Sequence, residues 1–168
     1  MEIKLLCLDV DGVMTDGTIV YTEHGEEIKA FHAHDGIGIK YLRKAGVDVA
    51  VISGRRSKPL ERRLGDLGIR RARFKCSDKS AALADICNDM GIGFENCAFM
   101  GDDWIDLDVM GKVAYPMASA NAAPEVKALA KWISGKAGGH GAVREACEHI
   151  AEKMGIKLVD LVKPSEYI

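Results

Sequence analysis

Short apolar runs alternate with amphipathic stretches along most of the chain. Five apolar runs, bounded by polar residues or glycine, fit buried strands at residues 3–10, 47–52, 72–74, 97–100 and 112–114. The stretches between them have helical patterns, and several end close to glycine: residues 36–44, 57–67, 79–90 and 105–110. Strands that alternate with helices form right-handed crossover units. The pattern therefore predicts an α/β protein with a Rossmann-like parallel sheet in a three-layer sandwich.

One segment interrupts this alternation. Residues 18–31 contain Ile19, Tyr21 and Ile28 around a His24-Gly25 turn signal, which predicts a β-hairpin after the first strand, an insertion of about 18–33. A glycine-rich loop at 134–141 precedes a predicted helix at 142–154, and helix and tail together span about 142–168. No insertion is long enough for a separate cap domain, so we expect a single domain over residues 1–168.

Composition narrows the classes of partner. The chain has 23 Lys and Arg against 25 Asp and Glu, a formal net charge of -2, and no long run of one sign. We therefore expect neither nucleic acid nor a membrane as a partner. Its five cysteines are odd in number and lack the spacing of a zinc site or a disulfide framework. Together with a start that lacks a signal peptide pattern, they predict a cytoplasmic protein.

The first candidate motif is Asp9-Val10-Asp11-Gly12, where the first strand opens into a loop. A carboxylate can attack phosphorus to give an acyl phosphate, which divides one difficult hydrolysis into two easier displacements. A second carboxylate two residues later, Asp11, could protonate the leaving oxygen and then activate water. Taken alone, the motif also fits a plain turn rich in Asp and Gly, or a calcium loop.

Two further motifs also follow predicted strands. Ser53-Gly54-Arg55 offers a hydroxyl beside a glycine whose backbone can approach a phosphate, although a helix N-cap explains the serine equally simply. Lys79 opens a helix, where its charge opposes the helix dipole. A phosphate and an aspartate to neutralise would explain that position, and so would ordinary surface exposure.

The fourth motif places Asp102, Asp103 and Asp106 directly after an apolar strand. Three acids in five residues repel one another unless a cation or a lysine compensates them. Magnesium favours a few carboxylates together with waters and a substrate phosphate. The motif therefore predicts a Mg2+ site at the edge of the sheet where parallel strands end and ligands bind.

In this order the four motifs resemble those of haloacid dehalogenase superfamily phosphatases, and the resemblance spans positions 9 to 106. It implies that Asp9 is the nucleophile and Asp11 the general acid and base. It also implies that Ser53 binds the phosphate and that Lys79 neutralises charge.

The same resemblance implies a ligand set for magnesium. The ion would be held by the Asp9 carboxylate, the Asp11 carbonyl and the Asp102 carboxylate. Asp103 or Asp106 would stand behind these ligands and hold a water or Lys79.

A narrower resemblance is to the capless 3-deoxy-D-manno-octulosonate 8-phosphate phosphatases. It rests on the hairpin and on three segments: Asp35-Gly36-Ile37-Gly38, Gly54-Arg55 and Gly138-Gly139-His140-Gly141-Ala142-Val143-Arg144-Glu145. It implies a small sugar-acid phosphate as substrate, contacts from Ser53, Gly54, Arg55 and Arg63, and a homotetramer whose hairpins complete neighbouring active sites. The C-terminal tail could also reach a neighbouring site.

Other readings stay open at this point. Relatives of that subfamily act on nonulosonate 9-phosphates or form tetramerising modules of CMP-sialate synthetases, and Arg55 favours the octulosonate members. Trp104-Ile105 departs from the Leu-Asn that is usual in the last motif. A phosphoacceptor signalling domain uses similar residues, but there the acidic pair comes early and the hydroxyl and lysine come late. Here Ser53 and Lys79 precede Asp102.

Overall fold

A six-stranded parallel sheet forms the centre of the protein, in a computed structural model that describes residues 2–163. Its strands are β1 Leu5–Leu8, β4 Asp48–Ile52, β5 Arg71–Arg73, β6 Cys97–Gly101, β7 Tyr115–Ala118 and β8 Trp132–Ile133. In space they follow the order β5-β4-β1-β6-β7-β8. β1 lies between β4 and β6, so Leu8 is paired with Val51 on one side and with Met100 on the other.

Helices cover both faces of the sheet. They are α1 Ala33–Lys44, α2 Lys58–Asp66, α3 Lys79–Met90, α4 Leu107–Met110, α5 Pro124–Leu129 and α6 Ala142–Lys153. Leu6 and Leu8 pack in the core that contains side chains of α1, α2 and α6. Leu5 and Cys7, which point to the opposite face, pack in the core of α3, α4 and α5. The predicted three-layer α/β sandwich is confirmed.

The hairpin lies between β1 and α1, as predicted. Its strands, β2 Val20–Tyr21 and β3 Glu27–Ile28, are antiparallel and form a separate two-stranded sheet. The turn is closed by Thr22, whose carbonyl accepts from the Gly25 N–H and whose hydroxyl accepts from the Glu26 N–H. Between residues 2 and 163 this hairpin is the insertion at the sheet edge, and no cap domain is evident there.

The predicted boundaries were least accurate after the acidic motif. The strand expected at 112–114 is β7, Tyr115–Ala118. Residues 112–114 are not extended because the Lys112 and Val113 N–H groups bond back to the Val109 carbonyl and close the end of α4. The short elements α5 and β8 were not predicted, whereas α3 was predicted to the residue and α6 to within one residue.

Three short 3-10 turns complete the described chain, at Phe94–Asn96, Trp104–Asp106 and Leu158–Leu161. Within residues 2–163, none of the helices combines the length and the apolar composition that crossing a membrane requires.

Candidate active site

The carboxyl ends of the central strands bring the predicted residues together at one edge of the sheet. A pocket of about 240 Å³ opens there. Its lining includes residues from three of the four motifs: Asp9, Asp11, Ser53, Gly54, Arg55, Asp102 and Asp103. A larger cavity of about 680 Å³ lies between the hairpin and the start of α2, and none of these seven residues lines it. The convergence of acidic and phosphate-binding groups identifies the smaller pocket as the candidate site.

Lys79, the residue of the third motif, lies beneath this pocket. Its ammonium group contacts Asp9 Oδ1 and Asp106 Oδ1, each at 2.7 Å, and all three side chains are buried. The Asp78 carboxylate caps α3 by accepting from the Ala81 N–H at 2.8 Å, which fixes the start of the helix that carries Lys79. The lysine therefore joins the acid that follows β1 to the acids that follow β6.

Burial and the neighbouring charges shift the pKa values of Asp9 and Lys79. It raises the pKa of Asp9 to about 6, with a further rise from the Asp106 carboxylate and an opposing effect of Lys79. Burial alone would lower the pKa of Lys79, but the Asp9 and Asp106 carboxylates outweigh it and the pKa is raised. The raised pKa of Lys79 keeps its ammonium group charged between the two acids.

Asp102 is the acid that the lysine does not reach. Its Oδ1 atom is buried without a hydrogen-bond partner in the described structure. Burial raises the pKa of Asp102 to about 8, and the Asp9, Asp106 and Asp103 carboxylates add to that rise. Ligand oxygens of Asp9, Asp102 and Asp106 lie within 4.8 Å of one another. An under-compensated cluster of carboxylates with a free, buried oxygen fits a hard divalent cation.

Asp106 and Asp103 shape the loop rather than face the pocket freely. Asp106 Oδ1 accepts from the Lys79 ammonium, while Oδ2 accepts from the backbone N–H groups of Asp102 at 3.0 Å and Asp103 at 3.3 Å. The Asp103 carboxylate accepts from the Trp104 N–H at 2.8 Å. Both oxygens of Asp106 are therefore engaged, one with Lys79 and the other with the loop of Asp102. Holding Lys79 is one of the roles that the resemblance implied for Asp103 or Asp106.

The phosphate-binding motif follows β4. Ser53 is buried, and its hydroxyl accepts from the Arg55 N–H at 3.1 Å. Its carbonyl accepts from the Cys76 N–H at 3.1 Å, which ties this turn to the segment before α3. Ser53 and Gly54 thus lie in a braced turn on the side of the pocket opposite the β6 loop.

Two hairpin residues that the motifs did not predict, Lys29 and Glu27, contact residues of the pocket. The Lys29 ammonium contacts both Asp11 Oδ1 and Glu27 Oε1. Glu27 Oε2 accepts from Arg55 at 2.8 Å, and the same guanidinium donates to the Tyr21 hydroxyl at 3.0 Å. Burial alone would lower the pKa of Lys29, but the Asp11 and Glu27 carboxylates that its ammonium group contacts raise it. Charged residues in an exposed hairpin give no sequence signal for such a role.

The loop that carries Asp11 is held by the segment that follows β7 and by the glycine-rich loop. The Gly12 carbonyl accepts from Ser119 Oγ at 3.1 Å and Asn121 Nδ2 at 3.0 Å. Asn121 Oδ1 in turn accepts from the Gly138 N–H at 2.6 Å. A side chain at Gly138 would overlap the Gly12 carbonyl, and one at Gly12, which has φ +91°, would overlap Asp102. These glycines allow the loops to pack backbone against backbone.

Arg63 is the predicted site residue that the structure does not bring to the pocket. Its guanidinium donates to the His32 carbonyl at 3.2 Å and lies over the Phe31 ring. It therefore packs between α2 and the base of the hairpin. The position of Arg63 within one chain does not support the predicted contact with the substrate, and that contact stays a prediction.

The parallel sheet, the lysine-linked acids and the phosphate-binding turn define the class of haloacid dehalogenase-like hydrolases, whose family profile matches residues 74–146. The 3-deoxy-D-manno-octulosonate 8-phosphate phosphatase of Escherichia coli K12 is 44% identical over 147 residues, which cover 88% of this chain and 78% of that protein. The chain belongs to the family of 3-deoxy-D-manno-octulosonate 8-phosphate phosphatases.

Two solved structures of that family share the fold. The Yersinia pestis phosphatase has a TM-score of 0.89 and 42% identity, with 91% of this chain and 83% of that chain covered. The Moraxella catarrhalis phosphatase, crystallised with magnesium, phosphate and KDO, has a TM-score of 0.87 and 39% identity, and the coverage is 89% and 86%. The relatives are enzymes with phosphatase activity, which argues against the signalling-domain reading.

Proposed function

We propose that this chain is the magnesium-dependent phosphatase that hydrolyses 3-deoxy-D-manno-octulosonate 8-phosphate to the free sugar acid and inorganic phosphate. The observation that carries the proposal is the convergence of Asp9, Asp11, Lys79 and Asp102 at one edge of the sheet. The 44% identity to a phosphatase named for that substrate, and the magnesium, phosphate and KDO of the Moraxella structure, support the choice of substrate.

The proposed reaction has two displacements. Asp9 Oδ2, the oxygen that Lys79 leaves free, attacks phosphorus, and the bond from phosphorus to the sugar oxygen breaks. Asp11 gives the leaving oxygen its proton, and it then takes a proton from the water that attacks the aspartyl phosphate. The bond from phosphorus to Asp9 breaks, and inorganic phosphate leaves. Lys79 balances the negative charge that builds up around phosphorus.

The residues present suit a magnesium ion. We assign it to the Asp9 and Asp102 carboxylates and the Asp11 carbonyl, because Asp102 has a buried oxygen without a partner and Asp106 is fully engaged. When bound, magnesium would offset the negative charge of the phosphate and of the acids. Ser53 and Gly54 would hold the phosphate oxygens, and Arg55 would meet the substrate's carboxylate or a nearby polar group.

We also propose a homotetramer in which the hairpin of one subunit covers the active site of another. The hairpin side chains of Ile19, Val20, Tyr21 and Ile28 are between 43% and 56% exposed, and two strands of two residues each have little stability alone. An interface would bury this surface and exclude water from the aspartyl phosphate.

Residues 1–168 would form one domain. Five free cysteines, four of them buried, support the cytoplasm as its compartment.

A substrate panel tests the function. The purified protein is assayed with MgCl2 on the octulosonate 8-phosphate, a nonulosonate 9-phosphate and neutral sugar phosphates, and phosphate release is measured. We expect the highest kcat/KM for the octulosonate, and loss of activity with EDTA that magnesium reverses. Preference for the nonulosonate, or for a neutral sugar phosphate, would reject the proposed substrate.

The nucleophile is tested in the same assay. Asp9→Asn should lower kcat by more than about 10³-fold, because an amide cannot form the acyl phosphate. Its fold should be retained, since Lys79 keeps Asp106 as a partner and one repelling carboxylate is neutralised. Circular dichroism and thermal unfolding check this. Turnover above a few per cent of wild type, in a preparation free of contaminating phosphatase, would exclude Asp9 as the nucleophile.

A further inference from the structure

Lys29 is a buried lysine at the base of the hairpin. It follows β3 directly, its side chain is 2% exposed, and its ammonium group contacts Asp11 Oδ1 and, at 2.8 Å, Glu27 Oε1. Burying an ammonium group is unfavourable unless carboxylates compensate it, and here two do. Lys29 therefore connects the hairpin to an acid of the pocket.

The two acids of the first motif, Asp9 and Asp11, contact different lysines. Lys79, from the start of α3, contacts Asp9 Oδ1, and Lys29, from the hairpin, contacts Asp11 Oδ1. Asp11 Oδ2 makes no such close contact with a lysine. It lies 3.7 Å from Arg55 Nε, which is beyond ordinary hydrogen-bond distance. One oxygen of Asp11 is thus bound and the other remains available for proton transfer.

We propose that Lys29 is a positioning residue that holds Asp11 Oδ1 so that Oδ2 faces the leaving oxygen of the substrate. The inference rests on the proposed function, in which Oδ2 gives its proton to the leaving oxygen and later takes one from water. Glu27 holds Lys29 in place, since its two oxygens contact Lys29 and Arg55. Without Lys29 the Asp11 carboxylate can rotate away from the line of proton transfer.

Two substrates that differ in their leaving group test this role. The sugar-acid phosphate releases an alkoxide-like oxygen that needs a proton, whereas p-nitrophenyl phosphate releases a stable phenolate that does not. The quantity compared is kcat/KM, because it covers the steps up to departure of the leaving group. Lys29→Met should lower kcat/KM for the sugar-acid phosphate by roughly 10- to 100-fold and for p-nitrophenyl phosphate by less than about 3-fold. Lys29→Arg should recover most of the loss.

Glu26→Gln is the matched control, because Glu26 lies on the same hairpin, is exposed and should leave both values unchanged. If Lys29→Met does not fold, Lys29→Gln keeps a polar group at the buried position and carries the same comparison. Equal losses on both substrates would mean that Lys29 only stabilises the hairpin, and the proposal would be overturned.

Asp11→Asn separates this inference from the proposed function. If Asp11→Asn discriminates between the two substrates but neither Lys29 variant does, the role of Lys29 is rejected and that of Asp11 stands. If Asp11→Asn does not discriminate, the proposed role of Asp11 fails, and the role of Lys29 fails with it.

Discussion

Asp102 is the acid of the candidate site with the least compensation. Lys79 contacts Asp9 and Asp106, whereas Asp102 Oδ1 is buried without a partner in residues 2–163. Its pKa is raised to about 8 by burial and by the Asp9, Asp106 and Asp103 carboxylates. The free energy of folding of the metal-free protein should therefore depend on the protonation of this side chain.

The sign of that dependence follows from the raised pKa. An acid whose pKa is higher in the folded state than in the unfolded state stabilises the fold while it is protonated, and this stabilisation is lost as pH rises. For both acids the loss begins near pH 3.8, the ordinary pKa of an aspartate, and it continues up to the raised pKa, which is about 8 for Asp102 and about 6 for Asp9. In EDTA, Tm should be lower at pH 8.5 than at pH 5.5 by at least about 3 °C. Addition of magnesium should raise Tm more at pH 8.5 than at pH 5.5.

Differential scanning calorimetry of three proteins checks this prediction. Asp102→Asn should have a smaller difference in Tm between the two pH values than wild type, because it lacks the titrating group. Glu23→Gln is the control, since Glu23 is an exposed hairpin acid whose loss should leave the difference unchanged. A difference in Asp102→Asn equal to that of wild type would show that Asp102 is not the responsible group.

At the scale of elements, the site depends on a connection between β7 and two loops. The side chain of Asn121, three residues after β7, donates to the Gly12 carbonyl and accepts from the Gly138 N–H. It thereby ties the loop of Asp11 to the glycine-rich loop that precedes α6. The Gly12 carbonyl that Asn121 holds lies in the peptide that joins Gly12 to Val13. The preceding peptide carries the Asp11 carbonyl, which is an assigned magnesium ligand, so a shift of Gly12 should also move this ligand.

Replacing Asn121 should therefore affect both stability and metal use. Asn121→Leu removes the two hydrogen bonds and leaves the Gly138 N–H without its partner, which should cost about 1–3 kcal/mol of unfolding free energy. It should also weaken magnesium binding, measured by calorimetry of the metal-free protein, by roughly 10-fold. Asn96→Leu is the control, because the Asn96 side chain makes an exposed bond to the Glu2 carbonyl. Lower stability with unchanged magnesium affinity would limit Asn121 to a structural role.

The same element shows what the sequence could and could not predict. Helices such as α3 can be predicted from the sequence, because their apolar residues recur with helical spacing over several turns. The strand after the acidic motif was predicted three residues early, so its carboxyl end was placed at Ala114 and the polar residues Ser119 and Asn121 were not recognised at the sheet edge. Lys29 was missed for a different reason, since only the folded hairpin brings it to Asp11.

The whole molecule lacks, among residues 2–163, a cap domain over its pocket. The sheet and helices place Asp9 at an edge that opens beside the hairpin, and the side chains of Ile19 and Ile105 at the pocket are themselves exposed. An aspartyl phosphate needs protection from uncontrolled access of water. A neighbouring subunit could supply this cover through the exposed apolar side chains of its hairpin, as the proposed tetramer requires.

Mixing of inactive variants tests whether sites are completed between subunits. One partner is Asp9→Asn, and the other has residues 22–26 replaced by an Asn-Gly turn, which shortens the hairpin but keeps Glu27 and Lys29. Each alone should be inactive. After subunit exchange, a chain with an intact Asp9 can lie beneath an intact hairpin, and random pairing should recover about a quarter of wild-type activity. Asp9→Asn mixed with Lys79→Ala is the control, because those residues act within one chain and should not recover. Light scattering should give the mass of four chains, and full activity in a monomer would reject the shared site.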